Sequence, residues 1–339
     1  MPRIVLDTQG GEFAPAAAVE AAARVSLENG IEVVLVGHVD QVQVLLEGHA
    51  YDPQRILVRH CAAAVGEFGE VRRVWHSRRE PSVAVAAGLL ARGEADALVT
   101  AGNPEATVLA VAQQLDRLPG VERLGLASVY QREIDEAGQD PFAMLVDVGA
   151  AVRCTAQDLL AFATLGAVWA QHVSGLPTPR IGLLNAGLSE DAGGEMLAAA
   201  HRLLRGRPGL GFVGNIEGSE ITRGKADIVV CEGLVGNVVI KLLESIEEVA
   251  AAVGRHGGSE GWRARLGIRP LAQQIARLKE IPERPGYAGA PVLGIGLVCL
   301  QLHPRARVGA FVNAIKLAAK AVRDGVPAEM RAAMAGRAG

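Results

Sequence analysis

Between a short apolar run and a segment of helical period lies Cys231-Glu232-Gly233-Leu234-Val235-Gly236-Asn237, with Lys241 in the first helical turns beyond it. Glycines there let backbone amides approach an anion, a helix N-terminus adds partial positive charge, and a lysine can reach back. That is chemistry suited to phosphate. The plain alternative for Lys241 is a solvated surface lysine. No Gly-Lys-Ser/Thr follows, so the turn is not a nucleotide P-loop. Related turns recur along the chain: Asp7-Thr8-Gln9-Gly10-Gly11-Glu12, Thr100-Ala101-Gly102-Asn103, Asn185-Ala186-Gly187 and Gly214-Asn215. The first is not GxGxxG and gives no support for a dinucleotide site. A carboxylate such as Asp7 beside an anion can orient a proton or a lysine, or it can cap the next helix. Gly and Asn also make tight strand-to-helix turns, which is the simpler reading of any single one. Taken as a set, Asp7, Gly10, Gly11, Gly102, Asn103, Asn185, Gly187, Asn215, Glu232, Gly233, Gly236 and Asn237 favour an anion site. His303 follows the last long apolar run, 292–302. A lone histidine there is more often structural, but it can donate to an oxyanion or protonate a leaving group.

These residues need elements to position them. Apolar runs at 4–6, 31–36, 97–99, 144–146, 181–184, 210–213 and 228–230 each end in Gly, Asn, Asp or a neighbouring small polar residue. Runs of this length suit strands buried on both faces. Between them, 14–27, 82–92, 156–171 and 195–204 carry helical period, and Thr155 is placed to cap the third. Strand alternating with helix predicts a mostly parallel sheet between two helix layers, a three-layer α/β/α fold. Ligands then bind beyond the carboxyl ends of the strands, where the Gly and Asn residues fall. The stretch 173–179 is the clearest internal break, read as a connection between lobes of one domain spanning 4–325. The Ala-rich tail 326–339 is expected to fray.

Composition narrows the class. The chain has 339 residues, 50% of them hydrophobic, and a net charge of -3, which gives no nucleic-acid footprint. Cys61, Cys154, Cys231 and Cys299 form no CxxC pair and read as reduced thiols of a cytoplasmic protein. No signal peptide or membrane span is expected. The segment 262–284 differs in kind. Trp262, Leu266, Leu271, Ile275, Leu278 and Ile281 fall roughly on one stripe, while Arg263, Arg265, Arg269, Arg277, Lys279 and Arg284 outnumber the acids. A basic amphipathic helix can lie on an anionic membrane or dock an acidic partner, or it can be an ordinary surface helix.

The order of motifs resembles the phosphate acyltransferase family of bacterial phospholipid synthesis. Asp7 to Pro15 resembles its DxMGGDxAP, Gly93 to Asn103 its GxADAxVSAGN, and Leu145 to Gly149 its LLDVGAN. Pro179 to Asn185 resembles PRVGLLNxG, Phe212 to Glu217 FxGNVEG, Glu232 to Lys241 DGFxGNVxLK, and Tyr287 to Gly294 YGGAPLLG, with His303 on the histidine downstream. The resemblance implies a fold like the isocitrate and isopropylmalate dehydrogenases and a homodimer. It implies transfer of a long-chain acyl group from acyl carrier protein to inorganic phosphate, with no cofactor or metal. Lys241, His303 and Asn237 would be catalytic. It also implies peripheral contact with the inner face of the cell membrane through a helical tip near 255–285. Phosphate is itself a nucleophile, so the absence of a Ser/His/Asp or Cys/His signature is expected.

Four places depart from the family pattern. Gln9 and Glu12 replace Met and Asp; Pro104-Glu105 replaces Thr-Gly; Glu232 and Leu234-Val235 replace Asp and Phe-Thr; and Gln301, Pro304 and Arg305 stand where the family has Lys, Gly and Ser. Arg305 is placed to restore the lost charge. These changes leave two further readings open: a non-catalytic scaffold that binds carrier protein or membrane, and an enzyme using a coenzyme A thioester. A dehydrogenase is a distant fourth, since no metal-binding aspartate pattern is present.

Overall fold

The computed structural model describes residues 1–28, 30–65, 71, 75, 80–133, 140–256 and 288–336. The amphipathic segment 262–284, the 255–285 tip beyond residue 256 and Tyr287 lie outside the described residues.

The strands are β1 (Arg3–Asp7), β2 (Glu32–Gly37), β3 (Ile56–His60), β4 (Ala97–Thr100), β5 (Gly125–Gln131), β6 (Phe142–Val146), β7 (Ile181–Leu184), β8 (Phe212–Ile216), β9 (Ile228–Val230), β10 (Ala290–Leu293) and β11 (Val298–Gln301). They form one sheet in the order β3-β2-β1-β4-β11-β10-β5-β6-β9-β7-β8. The helices are α1 (Ala16–Ser26), α2 (Val39–Glu47), α3 (Ser82–Ala91), α4 (Pro104–Gln114), α5 (Ala156–Val173), α6 (Glu195–Arg205), α7 (Gly233–His256), α8 (Val308–Arg323) and α9 (Val326–Ala335).

Strand side chains alternate between two cores, as a period of two requires. Ile4 and Leu6 face α1, α5, α8 and α9, together with Leu159, Phe162, Phe311 and Met330. Val5 faces the opposite layer of α3, α4 and α7, with Val83, Leu90, Val111 and Ile240. The expected three-layer arrangement follows from strands that are apolar on both faces. Helix α5 starts with a capping box. The Thr155 hydroxyl accepts from the Asp158 N–H at 3.2 Å, and the Asp158 carboxylate accepts from the Thr155 N–H at 2.8 Å.

Three features differ from the sequence expectations. The apolar run 292–302 is not one strand but parts of two: β10 and β11 pair antiparallel, with Ala290 opposite Gln301, across the connection at 294–297. Helix α7 begins at Gly233, so the glycine-rich turn is itself the first helical turn. Residues 326–335 of the tail are not frayed. They form α9, whose Val326, Met330 and Met334 are buried against the α1/α5/α8 layer.

Strand polarity decides where the turns go. The pairs β3–β2, β2–β1, β1–β4 and β4–β11 are parallel, as are β6–β9, β9–β7 and β7–β8. Between the two blocks, β11–β10, β10–β5 and β5–β6 are all antiparallel. Three reversals leave the blocks antiparallel to each other. The carboxyl ends of β1, β4 and β11 therefore sit at one edge of the sheet, and those of β6, β7, β8 and β9 at the other.

Candidate active site

At the first edge, the loops leaving β1, β4 and β11 are stitched into one surface. Asp7 is buried, and its Oδ2 accepts from the Thr100 hydroxyl at 2.9 Å and its Oδ1 from the Gln9 N–H at 3.0 Å. The side chain of Ser82, at the start of α3, bonds to it as well. Burial pushes the Asp7 pKa above the ordinary carboxylate value, and these hydrogen bonds only partly oppose the rise. Thr100 Oγ1 in turn accepts from the Gly102 N–H at 3.0 Å, and Gln301 Nε2 donates to the Gly102 carbonyl at 2.8 Å. Gly10 lies against Gly102 so closely that a Cβ would overlap the Gly102 backbone, and a Cβ on Gly11 would stand 2.8 Å from the Pro304 carbonyl oxygen. The Glu12 N–H donates to that same carbonyl at 2.8 Å. Glycine at these positions is what lets three chain segments meet backbone to backbone.

Polar groups project from this surface. Asn103 caps α4, its Oδ1 accepting from the Ala106 N–H at 3.2 Å, with Pro104 in the first helical position. His303 is exposed and its Nδ1 accepts from the Arg305 N–H at 3.1 Å. That contact puts the proton of the neutral ring on Nε2. Arg305 Nε donates to Glu12 Oε1 at 3.0 Å. A helix N-terminus, an imidazole N–H and a guanidinium beside glycine backbone are the parts that hold an anion and stabilise developing negative charge.

At the second edge a buried carboxylate organises the turn next to β6 and β9. The Asp147 carboxylate is fully buried, and its Oδ1 accepts from the N–H groups of Leu126 at 2.9 Å, Gly149 at 3.0 Å and Ala150 at 2.9 Å. Its Oδ2 accepts from the Ala151 N–H at 2.7 Å. Burial raises the Asp147 pKa even against these four donors. A Cβ on Gly233 would meet Asp147 Oδ2 and the Ala151 carbonyl, and one on Gly236 would overlap the Asp147 carbonyl. These two glycines let α7 dock on the Asp147 loop. Asn237 Nδ2 donates to the Val148 carbonyl at 3.1 Å, and Glu232 Oε1 accepts weakly from the Cys154 N–H at 3.4 Å. Lys241 is exposed and donates to Glu244 at 2.8 Å.

Beside them, the amides of Asn185 and Asn215 are spent on their own loop. Asn185 Nδ2 donates to the Ala192 carbonyl at 3.0 Å, and Asn215 Nδ2 donates to the Ser189 carbonyl at 2.7 Å while its Oδ1 meets His201 Nδ1 at 2.9 Å. Gly187 belongs to that loop. The set named from the sequence therefore divides. Asp7, Gly10, Gly11, Gly102, Asn103 and His303 come together at the first edge. Asn185, Gly187, Asn215, Glu232, Gly233, Gly236, Asn237 and Lys241 stand at the second. Thr100, Ser82 and Asp147 organise these edges and were not singled out. For Asp147 the available signal is a carboxylate that closes an apolar run shortly before a glycine, as Asp7 does.

The chain matches the fatty acid synthesis protein family over residues 2–329. It is 33% identical to the phosphate acyltransferase of Synechocystis sp. over 324 residues, covering 96% of this chain and 92% of that one. It is 34% identical to the phosphate acyltransferase of Trichlorobacter lovleyi over 324 residues, covering 96% and 92%. Among solved structures, a phosphotransacetylase from Streptococcus pyogenes aligns with a TM-score of 0.61 at 19% identity, over 95% of this chain and 94% of that one. A 4-hydroxythreonine-4-phosphate dehydrogenase from Klebsiella pneumoniae aligns at 0.52 and 12% identity, over 94% and 98%. The structural likenesses establish the dehydrogenase-like α/β fold. With the sequence relatives, they define the class as an α/β acyltransferase. The chain belongs to the fatty acid synthesis protein family, that of the phosphate acyltransferases, and its chemistry is acyl transfer to phosphate. Among the described residues no helix is long and apolar enough to cross a membrane.

Proposed function

We propose that the acyl donor is long-chain acyl carrier protein and that the acyl phosphate formed feeds phospholipid synthesis. A phosphate oxygen attacks the thioester carbonyl, the C–O bond forms, the C–S bond breaks, and the thiolate of the carrier takes up a proton. What the enzyme must supply is a fixed dianion and donors for the oxyanion. The observation that carries this reading is the joining of the β1, β4 and β11 loops into one glycine-backed surface. That surface carries the α4 N-terminus, Arg305 and the His303 Nε2–H. We place phosphate there, with His303 donating to the oxyanion or the leaving sulfur. At the second edge, Asn237, Lys241 and the Asn185/Asn215 loop frame the approach of the acyl carrier. The chain works as a homodimer in the cytoplasm, in peripheral contact with the inner face of the membrane.

The test is release of free carrier protein from acyl carrier protein, followed with and without added inorganic phosphate, against acyl-coenzyme A as the competing donor. Phosphate-dependent release from the carrier thioester is expected. Turnover confined to the coenzyme A thioester would refute the donor assignment. Carrier binding without turnover at any chain length would support the scaffold instead.

A further inference from the structure

We infer that Arg305 is the phosphate-binding cation of this site, and that Glu12 holds its guanidinium until phosphate displaces the carboxylate. The inference rests on the proposed placement of phosphate at the β1, β4 and β11 ends.

A dianion bound there needs positive charge. Gln301, at the end of β11, is neutral and buried, with its amide nitrogen committed to the carbonyls of Gly102 and Leu302 at 2.8 and 2.7 Å. Arg307 lies over the Phe13 ring, 4.5 Å from its centroid. Arg305 is the guanidinium on the loop that carries His303, and its side chain is 61% exposed. Its own N–H fixes the ring of His303 through the 3.1 Å contact to Nδ1. The guanidinium and the His303 Nε2–H are therefore presented by one short loop. A guanidinium is the donor whose fork matches phosphate oxygens.

Glu12 explains how that cation is kept in position. Its N–H is anchored to the Pro304 carbonyl at 2.8 Å, and its carboxylate receives Arg305 Nε at 3.0 Å. The partners are 61% and 39% exposed. An ion pair that open to water is weak. A carboxylate can therefore orient the arginine and still yield to a phosphate dianion, which offers more charge and more acceptor oxygens. Phosphate binding then becomes an exchange of the Glu12 carboxylate for phosphate at the Arg305 guanidinium. Glu12 sets the affinity by competing.

The test compares wild type, Arg305→Gln, Arg305→Lys, Glu12→Gln, the Arg305→Gln/Glu12→Gln pair and Lys241→Ala. Phosphate KM, carrier-thioester KM and the rise in Tm on adding inorganic phosphate are measured for each. Arg305→Gln is expected to raise phosphate KM by about tenfold or more, as loss of a charged hydrogen bond does, with little change in carrier KM. Glu12→Gln is expected to lower phosphate KM by about two- to fivefold, as release of a weak exposed ion pair would. It should have no effect once Arg305 is gone, the non-additivity expected of a coupled pair. Arg305→Lys should recover part of the loss. The inference is overturned if wild type turns over and Arg305→Gln leaves phosphate KM unchanged, or if Lys241→Ala raises it more. If wild type shows no phosphate-dependent turnover, the proposed reaction fails. The Tm shift then still decides the site: phosphate stabilising wild type but not Arg305→Gln sustains it, and equal stabilisation of both sinks it.

Discussion

Asp7 shows how a single carboxylate sets the geometry of the first edge. It is buried and held by three neutral donors, the Ser82 side chain, the Gln9 N–H and the Thr100 hydroxyl. Burial lifts its pKa above 3.8, so the folded state holds the proton more tightly than the unfolded chain does. The sign follows directly. This group adds stability below the unfolded value and loses it as pH rises through the raised folded value. The stability of wild type relative to Asp7→Asn should therefore increase on acidification from pH 7 toward about 4. Urea unfolding of both proteins at several pH values checks it, and a flat difference would contradict a raised pKa. Asp147 shifts in the same direction but cancels in the comparison. The cysteines give a second prediction at this scale. All four are free and buried, and desolvation pushes Cys154 and Cys299 each up to about 12 and raises Cys61 and Cys231 as well. Little thiolate exists at neutral pH, so a disulfide reagent should label none in the native protein and all of them in guanidinium. Rapid native labelling would show that one of these thiols is reachable. The absence of any CxxC pair in the sequence agrees with this inertness. The pairing of Glu12 with Arg305 is hidden in the sequence, because the two residues belong to opposite ends of the chain and only the fold brings them together.

Elements converted that residue-level reading into two edges. Continuous apolar runs identify buried strands, and the three layers follow from them. The same runs carry no record of direction relative to a neighbour, because a strand apolar on both faces looks alike in parallel and antiparallel pairing. The hairpin inside 290–301 and the antiparallel pairs around β10 and β5 were therefore not legible, and with them the split of one expected site into two. In the sequence, the glycine-rich turn before Lys241 suggests an anion cradle because its glycines permit close approach. The close approach is real, but the visitor is the Asp147 loop. Replacing Gly236 by Ala puts a methyl group where the Asp147 carbonyl oxygen lies, and the neighbour is backbone that cannot rotate away. A cost of about 3 kcal/mol is expected from overpacking of this kind, measured by urea unfolding. A near-neutral Gly236→Ala would mean that α7 seats loosely on the Asp147 loop. The phosphate KM of any folded Gly236→Ala protein should stay near wild type, since the site proposed for phosphate is at the other edge.

The whole molecule leaves one face of α7 without a described neighbour. Leu234, Val238, Leu242, Ile246 and Val249 are 58%, 60%, 58%, 54% and 63% exposed, and Val235 beside them is 43% exposed. Their spacing of three and four residues puts them on one stripe of the helix, running from its first turn outward. Scattered apolar side chains on a surface are ordinary; a continuous stripe of large ones marks a surface that associates. The homodimer proposed above supplies an occupant, because a second copy would bring an identical stripe and a two-fold interface is self-complementary. A Val238→Glu/Leu242→Glu protein places two carboxylates in the middle of that stripe, where both are already exposed and cost the monomer fold little. Sedimentation velocity should give a dimer for wild type and a monomer for the variant, with unchanged far-ultraviolet circular dichroism. A wild type that sediments as a monomer contradicts the dimer, and a variant that remains dimeric moves the interface elsewhere. Binding of wild type to anionic vesicles, lost in the variant, would assign the stripe to a lipid surface instead. Because α7 starts on the Asp147 loop, loss of the dimer should also weaken turnover through carrier-thioester KM and leave phosphate KM in place. That division is what two edges with separate tasks require.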